Sequence, residues 1–260
     1  MWMIENLSSG VRMGFFVESV LAYKRTRFQK VLLCVTKDFG KALFLDDELQ
    51  STERDQELYH TVLTIPAVAQ ARHGKALVLG GGEGATAYKL LSAGFQEVIM
   101  VDIDEELVQL CKMHLSEFHR GCFDDPRLKL VFEDGYDYVR ASRQKFDAIV
   151  CDLPDPGKHV QSDTLYTKEF YGMVKEILDD KGILVTQAGS PLFSRAEYNL
   201  VGKNLSLVFS GCARYTRWVP SLGSIWGFYA CAKDRRLLGP LTAALEEETS
   251  EQLEWIPFQG

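Results

Sequence analysis

The stretch ALVLGGGEGATAYKLLSAGFQEVIMVD, residues 76–102, decides the architecture. A continuous apolar run ends in three glycines and reads as a buried strand. The segment GATAYKLLSAG has the composition of a helix and stops at Gly94, and EVIMVD is a second buried strand closing on Asp102. Strand, glycine turn, helix, strand, acid is the order of a nucleotide-binding βαβ unit. Gly80, Gly82 and Gly84 permit a tight turn that brings a ligand against the backbone at the helix N-terminus. Asp102 stands twenty residues past Gly82, where such folds carry a ribose-binding acid. A glycine turn that merely packs helix on strand is the plainer reading, and the acid at the end of the second strand argues against it.

Outward from this unit the alternation continues. EELVQLCKMHLSEFH carries Leu107, Cys111, Leu115 and Phe118 on one helical face. LKLVF, YDYVRAS, DAIVCD, TKEFYGMVKEILDD and GILVTQ follow as strand, helix, strand, helix, strand. Ser194 and Glu197 have capping-box spacing before another helix, and ARYTRW and IWGFYACAK are two strands with no helix between them. Repeated βα units predict a Rossmann-like, methyltransferase-type doubly wound sheet with a C-terminal antiparallel strand pair. The β-like runs between residues 11 and 50 predict a small N-terminal antiparallel sheet. After it, TERDQELYHTVLTIPAVAQ opens a helix with a candidate cap at Thr52, places Leu58, Val62 and Ile65 on one face, and is expected to break at Pro66. The fold class is therefore α/β, with an N-terminal β domain over residues 1–51 and a catalytic domain over residues 52–260.

Composition narrows the chemistry. A net charge of -7 with no Lys/Arg-rich block argues against nucleic acid or an anionic membrane as partner, and suits a cationic ligand. No apolar run approaches the roughly 20 residues that cross a bilayer. The N-terminal MWMIENLSSG lacks the pattern of a signal peptide, so a cytoplasmic location is expected. Six scattered cysteines show no metal-ligand spacing; they read as reduced hydrophobes, and no metal site is expected.

Two further segments reach the same sheet edge. Glu83 lies inside the glycine turn, where it would repel a pyrophosphate. This counts against a nicotinamide dinucleotide, although Gly80, Gly82 and Ala85 fit its fingerprint. EDGYD places Asp134 and Gly135 at the end of the third strand, where Asp134 serves either as an acceptor for an adenine amino group or as an ordinary helix N-cap. IVCDLPDP, residues 149–156, ends a buried strand on Asp152 and then Asp155.

Taken in order, RFQ (27–29), LDDELQSTERDQELYH (45–60), GGGEGA (80–85), VDID (101–104), EDG (133–135), DLPDP (152–156), LYTKEFY (165–171), VTQAG (185–189) and VPSLGSIWGF (219–228) resemble the polyamine aminopropyltransferases, the spermidine and thermospermine synthases. The resemblance implies transfer of an aminopropyl group from decarboxylated S-adenosylmethionine, a co-substrate rather than a cofactor, to putrescine or spermidine, releasing 5'-methylthioadenosine. It implies that Asp152 takes the amine proton and Asp155 holds the cationic acceptor. On the donor side it implies that Asp102 binds the ribose, Asp134 and Gly135 the adenine, Gln29 the nucleoside, and Glu83 the donor amine. Tyr59 and His60 resemble the acceptor-side pair, Glu83 is counted on the acceptor side as well, and Tyr166 resembles a wall of the polyamine channel. A homodimer or dimer-based oligomer is expected.

Several positions depart from the family pattern. Glu83 replaces the usual aspartate. Thr61 stands where glutamate commonly follows Tyr-His, His159 follows Gly157-Lys158 where the family often continues Gly-Pro, and Leu222 stands near where it carries a substrate tyrosine. These bear on the acceptor; Thr61 is expected to remove one acceptor-side charge. Trp218 and Trp226 read as core residues, with contact to an alkyl amine as the other reading. The rival functions are an S-adenosylmethionine-dependent N-methyltransferase and a noncatalytic polyamine-binding relative.

Overall fold

The computed structural model describes residues 1–157, 163–239 and 241 and holds two sheets. The first is an antiparallel meander of β1 (Trp2–Asn6), β2 (Arg12–Arg25), β3 (Lys30–Thr36), β4 (Gly40–Leu45) and β5 (Glu48–Thr52). Its first strand lies outside the runs read as β from the sequence; it forms by pairing Trp2 with Phe16 and Asn6 with Arg12 on the long second strand. Helix α1 (Gln56–Gln70) leads into the second sheet.

That sheet contains β6 (Lys75–Gly80), β7 (Glu97–Asp102), β8 (Leu128–Phe132), β9 (Phe146–Asp152), β10 (Leu178–Gln187), β11 (Gly211–Val219) and β12 (Ser224–Ala232). Across the sheet the order is β11-β12-β10-β9-β6-β7-β8, with β12 antiparallel to both of its neighbours and every other pair parallel. The expected α/β class, doubly wound sheet and closing strand pair are all present. Between β6 and β9 the chain switches direction of winding, and the crevice beyond the carboxyl ends of these strands is where such sheets bind ligands.

Helices α2 (Ala85–Ser92), α3 (Glu105–His114), α4 (Ser116–His119), α5 (Gly135–Ala141), α6 (Lys168–Ile177) and α7 (Arg195–Ser206) cover the sheet. One face packs Val78, Val150 and Val185 against Leu63 of α1 and Leu90 of α2. The other packs Leu77, Ile149 and Leu184 against Phe170 and Val174 of α6 and Val201 of α7. Burial on both faces explains why these strands are unbroken apolar runs. Leu107, Cys111, Leu115 and Phe118 do share a face, and it packs on Val31, Leu33, Leu43 and Leu45 of the N-terminal sheet. That contact fixes the small sheet over the carboxyl edge of the large one.

Local readings failed where a distant partner intervened. Pro66 does not end α1, which continues to Gln70. Proline cannot donate to the carbonyl four residues back, and Tyr215 fills the gap by donating its hydroxyl to Val62 O at 3.2 Å. The cap of α1 is Asp55 rather than Thr52. The tail LDD (178–180), read as helix, belongs to β10, with Leu178 paired to Phe146 before a register shift. EELVQLCKMHLSEFH is interrupted at Leu115, and Ser194 caps α7 by position without a side-chain hydrogen bond.

The expectation of six reduced cysteines is also corrected. Cys212 and Cys231 form a disulfide, because β11 and β12 place them directly opposite each other. Cys34, Cys111, Cys122 and Cys151 are free and buried. Trp218 lies on the sheet-edge strand and is 48% exposed, so it is not a core residue.

Candidate active site

The carboxyl edge of the parallel strands and the overhanging N-terminal sheet enclose a cavity. Six carboxylates line it, those of Asp46, Glu83, Asp102, Asp134, Asp152 and Asp155. Among the described residues no lysine or arginine does, and His60 is the one basic side chain on its wall. Such a lining attracts cations and repels phosphates.

The glycine turn builds the floor. Gly80 has φ +77, and a Cβ there would come within 2.2 Å of Asp152 O. A Cβ on Gly82 would stand 2.8 Å from Asp102 Oδ2. The turn therefore needs glycine for conformation at one position and for space beside the buried Asp102 at another. Asp102 ends β7, is 9% exposed, and accepts from Asp104 N at 2.9 Å. Burial, only partly offset by its backbone hydrogen bonds, pushes its carboxyl up to about 6.

Asp104 is fully within the protein and reaches the other sheet. Its Oδ2 accepts from Thr26 Oγ1 at 2.6 Å and from Gln29 Nε2 at 3.0 Å, while Oδ1 caps α3 through Leu107 N. Gln29 is thus brought to the cavity by the turn between β2 and β3. Asp134 is the helix N-cap that its position offered. Oδ1 caps α5 by accepting from Tyr136 N and Asp137 N, and the residue lines the cavity with Gly135.

At the centre His60 lies between two carboxylates. Its Nδ1 is 2.6 Å from Gln56 O, an atom that can only accept, and its Nε2 is 2.9 Å from Glu83 Oε1 and 3.7 Å from Asp152 Oδ2. Both nitrogens face acceptors, an arrangement that favours the protonated ring. Burial alone would lower its pKa; the Glu83 contact, with the Asp152 charge behind it, overcomes this and holds the ring above its ordinary value. Ser51 Oγ donates to Glu83 Oε2 at 2.5 Å, whereas Oε1 lies against His60 without satisfying hydrogen-bond geometry. Burial, reinforced by the Glu83 charge, raises the carboxyl of Asp152, and His60, Thr86 and Tyr59 draw it partly back. The Tyr59 hydroxyl, buried beside Asp152, Asp155 and Glu83, is pushed well above its ordinary range.

The structure thus gathers Gln29, Tyr59, His60, Gly80, Gly82, Glu83, Asp102, Asp134, Gly135, Asp152 and Asp155 around one cavity. Tyr166 is not on its wall. The side chain is buried beneath the 153–155 loop, where its hydroxyl donates to Pro154 O at 2.9 Å and accepts from Gln187 Nε2 at 2.8 Å. Trp226, read as core, does line the cavity and donates from Nε1 to Gln187 Oε1 at 3.2 Å. Leu222 lines it too, on a turn that Asp55 anchors by accepting from Ser221 N and Ser221 Oγ at 2.7 and 2.8 Å. Thr61 does not, since its hydroxyl accepts from Lys89 Nζ at 2.7 Å at the contact of α1 with α2. His159 falls outside the described residues.

Sequence reading singled out neither Asp46 nor Gln50, although both lie in the quoted LDDELQSTERDQELYH and both line the cavity. Ser51, Thr86 and Gln187, which support the wall, carried no signal that periodicity or motif spacing could detect.

The geometry agrees with the family comparison. The spermine/spermidine synthase domain model matches residues 56–239. The chain belongs to that family. Its residues 1–53 match the family's spermidine synthase tetramerisation domain, so the N-terminal sheet is an oligomer-forming module by family. Curated relatives include the polyamine aminopropyltransferase of Sulfurisphaera tokodaii, 42% identical over 217 residues, covering 83% of this chain and 72% of the relative. That of Pyrobaculum calidifontis is 38% identical over 226 residues, covering 85% and 78%. A crystal structure of spermidine synthase in complex with the transition-state analogue AdoDATO superposes with a TM-score of 0.89 at 23% identity, covering 98% of this chain and 88% of that one. At that identity the match speaks for the fold. As a family member the chain is an enzyme of the aminopropyltransferase class, and the N-methyltransferase and noncatalytic readings are not favoured.

Proposed function

We propose that the cavity transfers the aminopropyl group of decarboxylated S-adenosylmethionine to a polyamine, and that the residues around it divide between a donor end and an acceptor end. The observation that carries this reading is the lining itself, six carboxylates with a single imidazole and, among the described residues, no lysine or arginine. The donor is a sulfonium bearing an amine, and the acceptor is a polycation. Both suit this field, whereas a pyrophosphate does not.

On the donor end, the ionised Asp102 accepts from the ribose hydroxyls and Asp134 with Gly135 receives the adenine. Gln29 reaches the nucleoside from the N-terminal sheet. Glu83 meets the donor amine, and an intact donor would bring a carboxylate against it. On the acceptor end Asp155 and Tyr59 hold the polyamine, with Leu222 and Trp226 as apolar wall. His60 serves both ends by neutralising part of the charge of Glu83 and Asp152. Tyr166 supports the loop that carries Asp155.

Asp152 takes a proton from the acceptor amine, whose nitrogen lone pair attacks the carbon beside the sulfonium. The new C–N bond forms as the C–S bond breaks, and its electron pair returns sulfur to a neutral thioether. The products are the extended polyamine, 5'-methylthioadenosine and a proton on Asp152.

The division into residues 1–51 and 52–260 and a homodimer as the basic assembly belong to the same reading; the tetramerisation-domain match supports assembly. A cytoplasmic location is proposed as well. Among the described residues no helix is long and apolar enough to cross a membrane, while the Cys212–Cys231 bridge is of a kind that reducing compartments seldom retain. Nucleic acid is not expected to bind. Because Leu222 replaces a polar grip on a short diamine, spermidine is proposed to serve at least as well as putrescine. Incubation with decarboxylated donor and a panel of diamines and polyamines, read by mass spectrometry, tests the function: no aminopropylated product with any acceptor would refute it.

A further inference from the structure

Thr86 is the second residue of α2 and has no solvent exposure. A threonine in a helix commonly turns its hydroxyl back to the carbonyl three or four residues earlier. Thr86 instead reaches across to the neighbouring strand, with Oγ1 2.6 Å from Asp152 Oδ2. The direction of the bond follows from the chemistry, because an ionised carboxylate only accepts, so the threonine donates.

This bond helps set the orientation of Asp152. Its backbone is already fixed, since Gly81 N donates to Asp152 O at 2.9 Å and Gly80 pairs with Asp152 between β6 and β9. What remains to be set is the rotation of the carboxylate. Thr86 approaches Oδ2, and the nearest nitrogen of His60 stands 3.7 Å from that same oxygen. Tyr59 also hydrogen-bonds the carboxylate from α1, and His60 is beyond hydrogen-bonding distance of Oδ2. Asp152 lines the cavity, with Thr86 anchoring one of its two oxygens.

We propose that Thr86 is a positioning residue for aminopropyl transfer, fixing Oδ2 of Asp152 so that the carboxylate is held in place to receive the proton of the attacking amine. This deepens the function proposed above and rests on it. In the transfer, the amine N–H bond gives its proton to the Asp152 carboxylate while the nitrogen bonds to carbon and the C–S electron pair leaves to sulfur. Thr86 loses no atom and gains no charge. Its hydroxyl bond favours the ionised carboxylate, which is the form that acts as base.

The charged and titratable groups facing Asp152 come from every side. Tyr59 and His60 approach from α1, Glu83 from the glycine turn, Asp102 from the end of β7, and Cys151 and Asp155 from its own strand and loop. The two anions nearest in chemistry, Glu83 and Asp102, oppose ionisation of Asp152. Removing the Thr86 donor leaves them less opposed, so the acid limb of the pH–rate profile must move to higher pH.

The test compares Thr86→Val and Thr86→Ser with the parental chain. Turnover is measured from pH 5 to 9 at saturating decarboxylated donor and polyamine, and 5'-methylthioadenosine affinity is measured by calorimetry. The Val side chain keeps the shape and removes the hydroxyl. Its acid limb is expected to rise by about one pH unit, as losing a hydrogen bond to a charged group implies. Turnover at neutral pH should fall about 10-fold and nucleoside affinity should stay within about 2-fold, the donor contacts being elsewhere. Ser should restore the parental profile. An acid limb that stays in place in Thr86→Val, or a Ser variant that behaves like Val, overturns the proposal. If Val prevents folding, Thr86→Ala against Thr86→Ser provides the same contrast, because the two differ only by the hydroxyl. A parental chain that forms no aminopropylated product would instead overturn the function on which the proposal rests.

Discussion

Replacing Asp102 with asparagine should make the protein more stable and its donor site much weaker. The carboxyl is buried at the end of β7 and pushed from an ordinary 3.8 to about 6. A folded pKa above the unfolded one means that the native state holds the proton more tightly. The favourable contribution is therefore complete below the unfolded value and is lost as pH rises through about 6. Above that pH the ionised Asp102 costs about 3 kcal/mol, at about 1.4 kcal/mol for each pH unit of displacement. Asparagine carries no charge and escapes this cost. It still accepts from Asp104 N, but its amide then stands beside Gly82, a residue that now donates its N–H to the carboxylate. A mismatched donor pair of that kind returns about 1–2 kcal/mol. The net expectation at pH 8 is a gain of about 1–2 kcal/mol, or roughly 2–8 °C in Tm for a chain of this size. Donor affinity moves the other way, because two ribose hydroxyls lose a charged acceptor; a loss of about 100-fold in 5'-methylthioadenosine affinity is expected at about 1.5 kcal/mol for each such bond. Thermal unfolding at pH 5 and pH 8, with calorimetric titration at pH 8, reads both effects. The stabilisation should shrink at pH 5. A variant less stable than the parent at pH 8, or one that binds the nucleoside at parental affinity, would refute the reasoning about burial and role respectively.

The remaining expectations address other groups in the cavity. Asp152→Asn should lower turnover about 10²–10⁴-fold at saturating acceptor while leaving nucleoside affinity nearly unchanged, and a variant close to the parental rate would remove Asp152 as base. Glu83→Gln should lose part of the preference for the decarboxylated over the intact donor, as measured by calorimetry with each; unchanged discrimination would detach Glu83 from the donor amine. Thr61→Glu should leave the acceptor KM within about 2-fold, because position 61 faces Lys89 and not the cavity, and a marked change in KM would contradict that placement. Thiol titration of the denatured protein without reductant should find four thiols, with Cys212 and Cys231 unreactive; six would show that the strand pair carries no bridge.

The sequence by itself determined the winding of the large sheet, the glycine turn and the placement of acids at strand ends. These are local matters: apolar runs, helical periodicity and glycine at a turn are fixed within a few residues, and the end of a parallel strand is a known position relative to the crevice. Asp102, Asp134 and Asp152 were therefore legible as neighbours. Gln29, Tyr59 and His60 were named through a resemblance, since nothing in their own segments indicates where they end up. Tertiary structure alone decided which way side chains face and what they meet. It turned Thr61 towards Lys89, put Tyr166 beneath the loop, and let Tyr215 supply the bond that Pro66 cannot make. It also set Cys212 opposite Cys231 and His60 between Glu83 and Asp152. Each of these depends on the register or rotation of elements distant in the chain. Hydrophobic patterning specifies which face of an element is buried, whereas the partner of a polar atom is set by the packing of that face against another.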